Sequence, residues 1–233
     1  MVKPFQFARL PRILFREGIL SELPDQVMVF GRKAVLVTGK SSFMGSSYAV
    51  RLLSDFADKG IGVQHVTIRG EPSPADIDSA VDSLKSEAID LVVGIGGGSV
   101  LDAGKAVSAM MYKYESVKRF LEGVGDMDHP GTRLPYIAIP TTSGTGSEAT
   151  KNAVISETGK NGFKKSLRHD NFVPDLAMID PELTFDCPPD ITAASGMDCF
   201  TQLTEAYLSD KSVGFTDALA MEGLKAVKNS LTR

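Results

Sequence analysis

The chain has 233 residues, enough for one large domain or two smaller ones whose core needs no disulfide framework or structural metal. Its composition, 42% hydrophobic and 23% charged, excludes disordered, collagen-like and coiled-coil proteins, and its formal net charge of -4 gives nucleic acid and acidic membranes no overall attraction. With two cysteines, no apolar leader and no run of about 18 apolar residues, we expect a cytoplasmic protein without a membrane span.

Apolar strands alternate with amphipathic helices through the first two thirds of the chain. In chain order, the pattern predicts a strand over residues 34–38, a helix over 48–58, a strand over 63–68, a helix opened by Ser73 and Pro74, a strand over 89–95, a helix over 99–111 and a strand over 134–139. Ser73 and Asp76 have the spacing of a capping box. We therefore predict an α/β fold, a Rossmann-like parallel sheet with helices on both faces, which binds ligands at the carboxyl ends of its strands.

The pattern changes near residue 185. Pro181, Pro188 and Pro189 interrupt the chain there, and residues 190–209 and 213–231 then have helical patterns with no further strand. The sequence thus predicts an α/β domain over residues 1–185 and a helical segment over 186–233. Because two helices make a poor core, we expect the segment to be the incomplete start of a larger helical domain, or to pack on another chain.

A glycine-rich turn follows the third predicted strand. Gly96, Gly97 and Gly98 are consecutive, Ser99 stands where a helix N-cap is expected, and Asp102 follows three residues later. Glycines let the backbone approach an anion closely, and the first amides of a helix have no acceptor within it. Three glycines exceed what a tight turn needs, so we predict a phosphate-binding turn; an ordinary capped turn is the alternative.

A loop rich in hydroxyl groups follows the fourth predicted strand. Its sequence, PTTSGTGSE at residues 140–148, includes Thr141, Thr142 and Thr145. Hydroxyl and amide donors can hold a diphosphate or a ribose without a charged side chain. We expect this loop to lie beside the glycine turn at the same edge of the sheet. The alternative is a loop whose hydroxyls cap its own backbone.

The loop after the first predicted strand contains Gly39, Lys40 and Ser41. Its glycine spacing does not fit a P-loop. In a dinucleotide-binding fold such a loop faces the adenosine ribose, where an acidic residue would bind the 2′-hydroxyl and repel a 2′-phosphate. Because Gly39 is not acidic, we predict that NADP is tolerated and favoured over NAD.

Asp198 and Gln202 lie four residues apart in a predicted helix, so they share one helix face. This spacing suits two ligands of one metal ion, although an amide is a poorer transition-metal ligand than an imidazole. A solvated aspartate beside a glutamine at the edge of the core is the alternative. The three histidines have no zinc-site spacing and are expected to be structural. The basic run over 160–168 is expected to be a solvated face, and no nucleic-acid partner is expected.

Together these motifs resemble the iron-containing (group III) alcohol dehydrogenase family. GGGSVLDAGK at 96–105, PTTSGTGSE at 140–148, PDLAMIDPEL at 174–183 and AASGMDCFTQLTEAYLS at 193–209 occur in that family's order and spacing. The resemblance implies a Rossmann-like domain that binds NAD or NADP, followed by a helical domain that holds a divalent metal, iron or zinc. It implies an oxidoreductase that interconverts a small alcohol and an aldehyde or ketone, and that forms a homodimer.

The resemblance also implies roles for individual residues. The pyrophosphate would meet Gly97, Gly98 and Ser99, and the rest of the cofactor would lie near Asp102, Thr141, Thr142, Thr145 and Lys164. Asp198 matches the family's metal-binding aspartate, and Gln202 stands where the family has its first metal-binding histidine. These two would be the catalytic and metal-binding pair, with two further histidines expected beyond residue 233, so the metal site is expected to be incomplete.

Two alternatives stay open from the sequence. Gln202 in place of a histidine favours a metal-independent reductase that resembles maleylacetate reductases. A chain that lacks the remainder of its helical domain would instead be a dinucleotide-binding module without catalysis of its own.

Overall fold

The computed structural model describes residues 4–231. Its eight strands are β1 (Arg12–Phe15), β2 (Lys33–Gly39), β3 (Gly62–Ile68), β4 (Leu91–Gly96), β5 (Tyr136–Pro140), β6 (Asn152–Glu157), β7 (Phe163–Arg168) and β8 (Leu176–Ile179). Six of them form one parallel sheet in the order β1-β8-β5-β4-β2-β3. The other two, β6 and β7, form an antiparallel hairpin.

Helices cover both faces of the sheet. They are α1 (Leu23–Met28), α2 (Ser47–Asp58), α3 (Pro74–Leu84), α4 (Gly98–Met110), α5 (Pro189–Leu208) and α6 (Gly214–Ser230). Successive residues of a strand point to opposite faces, so Val35 packs in the core beneath α3 and α4, whereas Leu36 packs in the core beneath α1 and α2. Burial on both faces explains why the central strands are continuously apolar and confirms the α/β prediction.

Every strand and helix expected from the sequence is present, with bounds shifted by a few residues. The capping box of α3 is confirmed, because Ser73 and Asp76 exchange side-chain and backbone hydrogen bonds. The N-cap expected at Ser99 is wrong: Gly97 occupies that position, and Asp102 bonds elsewhere. The structure adds β1, β8 and the hairpin, which the sequence analysis did not predict.

The helical segment folds as a pair. Gly223 of α6 lies so close to α5 that a Cβ there would be 2.8 Å from a methyl carbon of Leu203. The domain boundary near residue 185 stays a prediction; it falls between the short 3-10 turn Pro181–Thr184 and α5. Within residues 4–231, no helix combines the length and apolar character needed to cross a bilayer.

Candidate functional site

The amino end of α4 lies at the carboxyl edge of the parallel sheet, directly after β4. Gly97 is its N-cap, and its carbonyl accepts from the amides of Val100 and Leu101 at 3.0 and 3.1 Å. No side chain of the described chain caps this helix start. Gly98 and Ser99 come before the first residues whose amides bond to the Gly97 carbonyl. Their own backbone amides, together with the helix dipole, can therefore bind an anion.

Two glycines of this turn, Gly96 and Gly98, are required by close packing. A Cβ at Gly96 would lie 2.7 Å from the Val100 side chain, and one at Gly98 would lie 2.7 Å from the Cγ2 atom of Thr145. The amide of Thr141 donates to the Gly96 carbonyl at 3.0 Å. The glycine turn and the threonine loop therefore touch, as their positions after neighbouring strands suggest.

A cleft of about 550 Å³ opens on one side of the turn. It is bounded by the ends of β2 and β3, the start of α4 and the first turns of α5. Among the predicted residues, it is lined by Gly39, Lys40, Gly97, Gly98, Ser99 and Thr142. Thr141 lines an adjoining cavity of about 410 Å³, together with Gly97 and Thr142. Ser41 lines neither cavity, and its carbonyl accepts from the amide of Gly45.

A second cleft, of about 520 Å³, opens on the other side of the same turn. It contains the remaining predicted residues, Asp102, Thr145, Lys164, Asp198 and Gln202, and it shares Gly98 and Ser99 with the first cleft. Gly96 is buried beneath the turn. With the exception of Ser41 and the buried Gly96, the residues predicted for cofactor, metal and catalysis thus line connected cavities around one helix start.

A buried lysine, Lys105, stabilises the wall of the second cleft through its hydrogen bonds. Lys105 is 1% exposed, and its ammonium group donates to the carbonyls of Ser147 and Asn152 at 2.9 and 2.8 Å and to the Thr150 hydroxyl at 3.1 Å. Burial lowers the pKa of Lys105 to about 8. This contact ties α4 to the segment that joins the threonine loop to β6.

Asp102 of α4 lines the second cleft, and its side chain also accepts hydrogen bonds from neighbouring residues of the protein. Its carboxylate accepts from the Ser147 hydroxyl and from the Val154 amide at 3.1 Å. Burial raises the pKa of Asp102, and the charge of Lys105 and the two hydrogen bonds oppose that rise. Asp102 is therefore placed to shape the cavity wall rather than to cap α4.

Asp198 and Gln202 share an exposed face of α5, as their spacing predicts. The Gln202 amide donates to the Asp198 carboxylate at 2.8 Å. Among residues 4–231, no group of three or more His, Cys, Asp and Glu side chains is arranged to hold a metal ion. One carboxylate and one amide, bonded to each other, do not fit a divalent metal site by themselves.

Lys164 and the histidines have local partners. Lys164 is 61% exposed and forms an ion pair with Glu71 at the rim of the second cleft. His129 is buried between Phe120 and Phe172, and its two ring nitrogens bond to backbone groups. His65 bonds to the Thr38 hydroxyl.

Sequence reasoning missed four contributors to the candidate site. Arg69 lines the first cleft directly after β3, and α5 contributes Ile191 and Ser195 to the same wall. The tethering role of Lys105 was also missed. A basic residue immediately after a parallel strand is a signal for Arg69, but the approach of α5 depends on tertiary packing that the sequence pattern does not reveal.

The family model for iron-containing alcohol dehydrogenase matches residues 11–181. Long-chain-alcohol dehydrogenase 1 of Geobacillus thermodenitrificans is 34% identical over 218 residues, which cover 93% of this chain and 54% of the relative. The NADPH-dependent butanol dehydrogenase of Clostridium saccharobutylicum is 32% identical over 227 residues, 95% of this chain and 57% of the relative.

A solved structure has the same fold. The crystal structure of sulfoacetaldehyde reductase from Bifidobacterium kashiwanohense in complex with NAD+ matches with a TM-score of 0.89 and 30% identity, covering 98% of this chain and 60% of that one. The chain thus spans a little more than half the length of these relatives. On the family match and these identities, the chain belongs to the iron-containing alcohol dehydrogenase family.

Proposed function

We propose that this chain binds NAD(P) as the dinucleotide-binding part of an oxidoreductase that interconverts an alcohol and an aldehyde or ketone. One observation carries the proposal. Among the described residues no side chain caps the start of α4, which lies between two clefts, and Gly98 there leaves no room for a Cβ. Such a helix start fits the diphosphate at the centre of a dinucleotide.

Each cleft would then hold one half of the cofactor. The amides of Gly98 and Ser99 bind the diphosphate, and the cleft beside Gly39 and Lys40 receives the adenosine ribose. The cleft lined by Asp102 and Thr145 receives the nicotinamide, with the substrate next to Asp198 and Gln202. The bound nicotinamide supplies or accepts the hydride, and the protein contributes binding and orientation.

Preference for NADP over NAD is part of the proposal. Gly39 places no carboxylate at the end of β2, so nothing there repels a 2′-phosphate. The Clostridium relative is named as NADPH-dependent, and the Bifidobacterium structure contains NAD+. The preference of this chain for NADP or NAD therefore depends on its own residues rather than on family membership.

Among the described residues 4–231, the iron or zinc implied by the family resemblance would find two candidate ligands, Asp198 and Gln202, and these are bonded to each other. This pairing favours a second candidate, a metal-independent reductase of the maleylacetate reductase type or a dinucleotide-binding module without turnover.

The remaining proposals concern substrate, compartment and assembly. A small alcohol or aldehyde is supported by the alcohol dehydrogenase names of the relatives. Two free cysteines fit a cytoplasmic protein. Exposed apolar side chains on β1 and α5, among them Phe15 and Met197, support a homodimer.

The test is binding and turnover with the same preparation. NADPH and NADH are titrated into the chain, and their oxidation by short aldehydes is followed with added iron or zinc and with chelator. Binding with turnover supports the oxidoreductase, and turnover that survives the chelator supports the metal-independent form. Tight binding without turnover supports the module. Absence of binding to either nucleotide contradicts all three.

A further inference from the structure

Two cationic residues, Lys40 and Arg69, line the first cleft where two neighbouring strands end. In the parallel pair β2–β3, Gly39 is in register with Ile68, so Lys40 and Arg69 are the next residues along two neighbouring strands. Neighbouring strands are about 4.8 Å apart. Both residues are exposed, and both line the cleft that contains Gly98 and Ser99.

This end of the cleft has no compensating negative charge. None of the described residues that line it is acidic. Across residues 4–231, neither the Lys40 nor the Arg69 side chain forms an ion pair with a carboxylate. The nearby carboxylate of Glu71 accepts from Lys164 and Ser156 and lines the other cleft.

Gly39 has room for one added carbon atom at ordinary van der Waals distances. A Cβ built on Gly39 would have its nearest neighbours 3.8 and 3.9 Å away, on Val100 and Ser42. A phosphate group on the ribose therefore meets neither a carboxylate nor a bulky side chain at the end of β2. An arginine supplies a planar set of N–H donors that matches phosphate oxygens, and a lysine adds a compact positive charge.

We propose that Arg69, assisted by Lys40, binds the 2′-phosphate of NADP and is the residue that sets the cofactor preference of this chain. The proposal rests on the proposed function, because it takes the diphosphate to lie at the start of α4. Gly39 only leaves the 2′-phosphate unopposed, whereas Arg69 would bind that phosphate directly.

The test measures dissociation constants of NADPH and NADH for the unaltered chain, Arg69→Ala and Lys33→Ala. Lys33 is an exposed residue at the opposite end of β2, so its loss changes the net charge equally. We expect Arg69→Ala to weaken NADPH binding roughly tenfold to a hundredfold, the range for one charge-assisted hydrogen bond, and to leave NADH binding unchanged. Lys33→Ala should alter neither, and Arg69→Lys should recover part of the NADPH affinity.

The outcomes separate this inference from the proposed function. If the unaltered chain binds the dinucleotides but Arg69→Ala weakens both equally or neither, the assignment of Arg69 is overturned and the proposed function stands. If the unaltered chain binds neither nucleotide, both are overturned. Competition experiments give a second readout. Adenosine 2′,5′-bisphosphate should compete for the unaltered chain more strongly than 5′-AMP does, and this difference should disappear in Arg69→Ala and in Arg69→Gln.

Discussion

Lys105 places an ammonium group in the interior, between α4 and the segment that precedes β6. Lys105→Met would leave the carbonyls of Ser147 and Asn152 without their donor, and we expect it to lower the free energy of unfolding by about 2 kcal/mol. Lys118→Met is the matched control, because it removes a half-exposed ion pair worth less than about 1 kcal/mol. Urea denaturation measures both; equal losses in the two variants would show that Lys105 is no tether.

Gly98 is the point at which the glycine turn touches the threonine loop. In Gly98→Ala the new methyl group would lie 2.7 Å from Thr145, so we expect the loop to be displaced and dinucleotide binding to weaken roughly tenfold or more. Gly214 also opens a helix, but no atom lies within 4 Å of a Cβ there. Calorimetric titration should therefore show Gly214→Ala binding normally. Normal binding by Gly98→Ala would refute the role of this contact.

Gly39 ends β2 at the place proposed for the adenosine ribose. A Cβ at this position would be 3.8 Å from its nearest neighbour, and the φ of Gly39 is not in the left-handed region, so the backbone accepts a residue with a side chain. We expect Gly39→Asp to weaken NADPH binding and strengthen NADH binding, changing the ratio of the dissociation constants by roughly tenfold or more. Asparagine at the same position is the control for size without charge. An unchanged ratio in the aspartate variant would mean that the ribose lies elsewhere.

At the scale of elements, His129 joins the end of α4 to the loop before β5. Its Nε2 atom lies 3.1 Å from the Ala109 carbonyl, and its Nδ1 atom accepts from the Gly131 amide at 3.0 Å. Burial lowers the pKa of His129 from its ordinary 6.5 to about 4. Between these values the unfolded chain binds the extra proton and the folded chain does not, so acidification destabilises the fold.

We therefore expect His129 to reduce the free energy of unfolding by up to about 1.4 kcal/mol per pH unit as the pH falls from 6.5 towards 4. His129→Gln retains a donor and an acceptor but does not titrate. Denaturation at several pH values should show a shallower acid slope in this variant over that window. Identical slopes would mean that His129 is protonated in the folded protein.

The central elements were predictable because each is long and strongly patterned. The strands β2 and β4 are buried on both faces, and the start of α3 has both partners of its capping box. The elements that escaped prediction have weak local signals. In β1, which has four residues at the edge of the sheet, only one residue is even half-buried. A strand this short carries too few residues for its alternation to be recognised.

The hairpin β6–β7 was not predicted from the sequence for a different reason. The basic run at residues 160–168 does have exposed lysines, as expected, but Leu167 on the same strand is fully buried. Three basic residues around one apolar position concealed the strand alternation. The short apolar run Ala153-Val154-Ile155 was the available signal for β6; the structure buries Ala153 and Ile155 and leaves Val154 half-buried.

The parallel sheet explains why residues far apart in sequence line the same clefts. Loops after β2, β4 and β5 meet because the carboxyl ends of parallel strands lie at one edge, so this part of the site was predictable. Two features were not. The bond between Gln202 and Asp198 depends on side-chain orientation, and the wall formed by α5 depends on how a helix packs across the edge.

The proposed function requires that the amides at the start of α4 bind the diphosphate of a dinucleotide. The most direct measurement is an NMR titration of the isotope-labelled chain with NADPH, following the backbone amides of Gly97, Gly98 and Ser99. We predict saturable shifts that are largest at these three amides and extend to Thr141 and Thr142. Saturation with these amides unshifted, or no saturation at millimolar NADPH, would contradict the account.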